Sequence, residues 1–125
     1  MFVIDKDNTI HLTRGDIATI EIRTTKDGEE YIFTTGDVVR LKVVEKKNYS
    51  NVVLQKDVVI NGETTVVDMF LDNNDTTIGD VINKPKGYWY EVELNPDTAP
   101  QTIIGHDEYG AKVFKLYPEG SDVDA

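Results

Sequence analysis

Hydrophobic and polar residues alternate most cleanly in Gly87-Tyr88-Trp89-Tyr90-Glu91-Val92-Glu93-Leu94, where every side chain can be assigned to a face. Tyr88, Tyr90, Val92 and Leu94 fall on one side, and Trp89, Glu91 and Glu93 on the other. The same period of two recurs at residues 9–13, 17–24, 31–35, 38–45, 52–60, 64–71, 101–105 and 111–117, and residues 1–4 read as a short edge strand or a loosely held arm. Segment 52–60 is expected to bend or bulge at Gln55-Lys56-Asp57. Asp27-Gly28 and Asn61-Gly62 tolerate positive φ, so they predict hairpins pairing 17–24 with 31–35 and 52–60 with 64–71. Residues 46–51 read as a polar loop. Asp72-Asn73-Asn74-Asp75 offers several N-caps, which predicts one short helical turn over 76–82.

Strands at this spacing, with turn residues between them, predict an all-β sandwich of about seven to nine mainly antiparallel strands. The inner layer should hold Ile20, Ile22, Val39, Leu41, Val43, Val67, Met69, Tyr90, Val92, Leu94 and Phe114. Residues 1–118 make up the sandwich and 119–125 an acidic C-terminal tail. A chain of 125 residues can bury a single core without metal or disulfide.

Charge narrows the partners. Thirteen basic against 23 acidic residues give a net charge of −10. A nucleic-acid binder draws most of its affinity from a basic face, and anionic lipid also selects basic surfaces, so neither partner is expected. With no cysteine, disulfides and thiolate chemistry are excluded. No apolar run reaches the ~20 residues of a membrane helix, and the first residues do not read as a signal peptide.

Candidate chemistry is sparse. His11 lies within a strand and His106 in a connection, neither spaced to pair locally with a serine or a carboxylate; surface histidines are the simpler reading. Asp5-x-Asp7 begins like a calcium loop but has Ile10 where the turn needs glycine, and Asp72, Asp75 and Asp80 read more simply as helix caps. No catalytic residue, metal ligand or cofactor is therefore expected. The glycines are isolated and mark turns, not a phosphate loop. Arg14-Gly15-Asp16 matches an integrin-binding tripeptide but joins two strands as a tight turn. Asn48-Tyr49-Ser50 and Asn74-Asp75-Thr76 fit the glycosylation sequon by coincidence. Trp89 is the most informative residue. It shares its face with two glutamates, so burial in the core is disfavoured, and cover by a loop or a second subunit is expected. The candidate interface or ligand face is Trp89 with its neighbours Tyr88 and Glu91.

Leu12-Thr13-Arg14-Gly15-Asp16, Gly36-Asp37-Val38-Val39-Arg40-Leu41-Lys42-Val43, the Gly87–Leu94 stretch and Lys112-Val113-Phe114-Lys115-Leu116-Tyr117-Pro118-Glu119-Gly120 together resemble a known pattern. It is that of the small immunoglobulin-like domains of phages and prophages of Gram-positive bacteria, in particular the N-terminal domains of upper baseplate proteins. The resemblance covers nearly the whole chain in order. It departs at residues 79–86, where this chain has a longer, proline-containing link, and no receptor-binding or fibre segment follows the closing strand. It implies an immunoglobulin-like sandwich with a non-enzymatic structural or assembly role in a virion. It also implies contacts with its own copies and other virion components, and location in the particle or, before assembly, in the bacterial cytoplasm. The family has no catalytic residues to carry over. The alternative expectation is a carbohydrate- or cell-surface-binding module using the Trp and Tyr face.

Overall fold

The computed structural model describes residues 1–119, so most of the expected acidic tail lies outside the described residues. In chain order the strands are β1 (Phe2–Ile4), β2 (Ile10–Thr13), β3 (Ala18–Ile22), β4 (Thr25–Lys26), β5 (Glu29–Glu30), β6 (Val38–Glu45) and β7 (Asn48–Val59). After β8 (Val67–Leu71) comes helix α1 (Asn73–Thr76), then β9 (Lys86–Leu94), β10 (Gln101–Ile104) and β11 (Lys112–Tyr117). A seven-stranded sheet of order β1-β2-β11-β9-β6-β7, with β10 also paired to β9, faces a two-stranded sheet of β3 and β8. The β4–β5 hairpin stands apart. Nine strands thus form the two layers, and eleven are present among the described residues.

The protein is an all-β sandwich, and its strand order follows the immunoglobulin division. β11, β9, β6 and β7 lie side by side as strands G, F, C and C′ do, and β3 with β8 faces them as B with E. Pairing is antiparallel throughout except between β2 and β11, which run parallel.

All eleven residues expected in the inner layer are buried. Their period-two positions on β3, β6, β8, β9 and β11 meet in one cluster, joined by Ile10, Leu12, Phe33, Ile60, Ile78 and Tyr88. At roughly 1.5–3 kcal/mol for each large aliphatic or aromatic side chain, this burial drives the fold.

Four local expectations are corrected. Asn61-Gly62 does not close a hairpin, because β7 and β8 belong to different sheets. Ile60 N–H donates to the Asp37 carbonyl at 2.8 Å and Gly62 N–H to Thr35 Oγ1 at 2.8 Å, so the turn is tied to 35–37 and the chain crosses between layers. Residues 31–35 form no return strand. The Asp27-Gly28 turn joins only β4 and β5, with φ of 54° and 81° at its two residues, and Phe33 then plugs the core and bridges Thr64. The helical turn comes earlier than expected, at Asn73–Thr76. Asp72 caps it, accepting from Asp75 N–H, while the Asp75 side chain accepts from Asp72 N–H. Finally, β7 starts inside the expected loop, and its register with β6 shifts beside Val43 and Val44 instead of at Gln55–Asp57.

Candidate functional site

The site lies on the outer face of the large sheet, where β9 pairs with β6 on one side and with β10 and β11 on the other. Trp89 stands opposite Val44 of β6 and Val113 of β11. Its cover comes from the irregularity in β7. Glu45 pairs with Asn48 but Val44 pairs with Val52, so Tyr49, Ser50 and Asn51 have no partner positions on β6. The bulge swings Tyr49 over Trp89, with ring centroids 5.0 Å apart and planes inclined at 34°. Trp89 is left half-buried, and its cover within the chain is a bulged strand where a loop or a second subunit was expected.

Beside the two rings is a cavity of about 170 Å³ lined by Val44, Tyr49, Trp89, Glu91, Lys42 and His106. Val44 forms the apolar floor, and Glu91 stands opposite Lys42 in the β6–β9 register. Burial pushes the Glu91 carboxyl above the usual glutamate range, the nearby Glu93 charge adds to the rise, and Lys42 opposes it. Next along the face, Arg40 donates to Asp57 at 2.8 and 3.0 Å and to Asp97 at 3.0 and 3.2 Å. Those hydrogen bonds hold the guanidinium charged and hold Asp57 below the ordinary aspartate value. Among the described residues, neither Glu91 nor Glu93 has an ion-pair partner within 4.0 Å.

Of the three residues expected to share the face, Trp89 and Glu91 do and Tyr88 does not. Tyr88 is 2% exposed and belongs to the core cluster, because the pleat that turns Trp89 outward turns its neighbour inward. Sequence reasoning missed Tyr49, Lys42 and His106. Lys42 was readable from the alternation of β6, but Asn48, Ser50 and Asn51 around Tyr49 read as a loop and not as a bulge that lays Tyr49 on Trp89.

The histidines are better connected than their local spacing indicated. His11 Nε2 lies 2.7 Å from Asp5 Oδ2 and its Nδ1 lies 2.8 Å from the Tyr117 hydroxyl, a chain of contacts across β2 and β11. His106 shares the cavity with Glu91, the meeting of histidine and carboxylate that an enzyme would use, but the lining offers no serine, threonine or cysteine nucleophile. Arg14 is 8% exposed and its guanidinium donates to the Ile78 and Gly79 carbonyls, so the Arg14-Gly15-Asp16 tripeptide is not displayed as a unit. Asp72 and Asp75 are occupied in capping, and Asp75 also accepts from Lys56 at 2.9 Å. No group of three or more possible metal ligands occurs among the described residues.

Compared with protein-family models, with curated proteins and with solved structures, the chain matches none. No helix among the described residues is long and apolar enough to cross a membrane.

Proposed function

We propose that the domain is a non-enzymatic structural or assembly part of a phage or prophage particle, associated with its baseplate or tail. It works through protein contacts with its own copies and with other virion components. The observation that carries this reading is the free edge of β7. This strand runs from Asn48 to Val59 and, among the described residues, pairs only with β6, leaving a row of backbone donors and acceptors open to another chain. Val59 at 68% and Val52 at 39% exposure sit along it. The resemblance of the sequence to phage immunoglobulin-like domains supplies the biological setting, and the net charge of −10 favours protein partners over nucleic acid. Mass spectrometry of particles purified after induction of the encoding strain tests the assignment. The chain should be present in stoichiometric amount, and its absence from intact particles would refute the role.

A second reading is a carbohydrate- or cell-surface-binding module, favoured by the aromatic walls of the Trp89 cavity. A glycan array should then give hits that disappear in Trp89→Ala, and an array without hits removes this reading.

A further inference from the structure

We propose that the cavity beside Trp89 is a socket for an arginine side chain presented by the protein against which this domain assembles. The inference rests on the protein-contact reading above and names the chemistry of the partner.

The walls come first. Trp89 and Tyr49 supply aromatic surface, and Val44 closes the bottom. A guanidinium is planar and weakly hydrated, so it stacks on such rings where a compact ammonium keeps its water. Its stem is apolar enough to lie against valine.

Charge decides between a cation and a neutral ring. Glu91 and Glu93 lie on the same face of β9, and the residues opposite them on β6 are Lys42 and Arg40. Arg40 is already engaged by Asp57 and Asp97. That leaves Glu91 in the lining, with Glu93 beside it on β9, against the ammonium of Lys42, and His106 as the other polar group of the cavity, on a chain that is acidic overall. Burial disfavours the charged form of Glu91, so an incoming cation gains more there than at a fully solvated glutamate. Arginine can also donate two parallel hydrogen bonds to one carboxylate, which a lysine cannot. Lys42 is the competitor within the site. A neutral sugar ring would find the aromatic wall but would leave Glu91 without a charged partner.

Trp89 is the only tryptophan, so its fluorescence reports on this cavity alone. The full chain is titrated with the capped peptide Gly-Arg-Gly, its lysine and citrulline counterparts, and N-acetylglucosamine. The arginine peptide should give a saturable change in the millimolar range, and citrulline, which keeps the shape without the charge, should bind roughly tenfold more weakly. Glu91→Gln should weaken the arginine peptide by a similar factor, and Lys42→Ala should strengthen it. Circular dichroism would show whether both variants keep the parent fold. Equal responses to arginine and citrulline, saturation by the sugar alone, or no saturation by any probe would overturn the proposal. Failure here leaves assembly through the β7 edge standing, whereas absence from purified particles removes the assembly reading even if the peptide binds.

Discussion

Arg14 Nη2 donates to the Gly79 carbonyl at 2.8 Å, and its Nε donates to the neighbouring Ile78 carbonyl at 3.2 Å. One buried guanidinium therefore fastens the link between α1 and β9 to the turn that follows β2. Removing it leaves two carbonyls short of a donor, at a cost of about 1–3 kcal/mol. Arg14→Ala should lower the urea midpoint accordingly, and Arg14→Lys should recover only part of the loss because an ammonium cannot reproduce the fork. Cell adhesion should be indifferent to Asp16→Ala, since the Arg14 that an adhesion tripeptide must present is buried.

Tyr49 is the sole aromatic partner of Trp89 among the described residues. Tyr49→Ala should shift the tryptophan emission to longer wavelength as water reaches the indole. The lost ring pair should cost about 0.5–1.5 kcal/mol, read from thermal unfolding. An unchanged emission maximum would mean that Tyr49 does not cover Trp89 in solution.

Two carboxylates should respond to pH in opposite senses. Hydrogen bonds from Arg40 hold Asp57 below its ordinary value of 3.8. A depressed folded pKa adds stability that is complete above the unfolded value and fades as pH falls through the folded one. Arg40→Gln should therefore destabilise the protein at neutral pH and matter less and less below pH 3.8. Glu91 runs the other way, since its folded pKa lies above 4.5. Its ionisation opposes folding at higher pH, and this opposition vanishes once the group is protonated in both states. Glu91→Gln should raise the melting temperature at neutral pH, with the gain shrinking towards zero below pH 4.5. A gain that stays constant across pH would show that packing, not charge, sets the difference.

The helix cap supplies an independent check on the local structure. Asp72→Ala removes the acceptor for Asp75 N–H. It should cost about 1 kcal/mol in a chemical unfolding experiment, as for other caps. A loss well below this would mean that the α1 turn is held chiefly by the Lys56–Asp75 pair and by Thr76, whose hydroxyl donates to the Asp16 carbonyl at 2.7 Å.

How much of this was legible in the sequence follows from where each residue's information lies. Val39, Leu41 and Val43, or Tyr90, Val92 and Leu94, declare their faces because a strand's pleat depends only on neighbours two positions away. Which strands pair was less legible. Asn61-Gly62 has hairpin chemistry, yet distant groups at Thr35 and Asp37 claim its backbone and send the chain to the other layer. The candidate site divides in the same way. Trp89 and Glu91 were readable from β9 alone, whereas Tyr49 reaches the site through unpaired residues in β7, and His106 through the connection between β10 and β11. Tyr88 is buried, as its alternation with Tyr90, Val92 and Leu94 requires, and so does not belong to the outer face.

We propose that this sandwich works by contact with other chains, starting with its own copies along β7. Light scattering of the full chain over a range of concentrations tests it most directly, with Val59→Lys alongside to place a charge on the free edge. The parent should have a mass that is a multiple of the chain's, and the variant a single-chain mass. A parent that stays at single-chain mass up to the highest concentration would contradict the proposal.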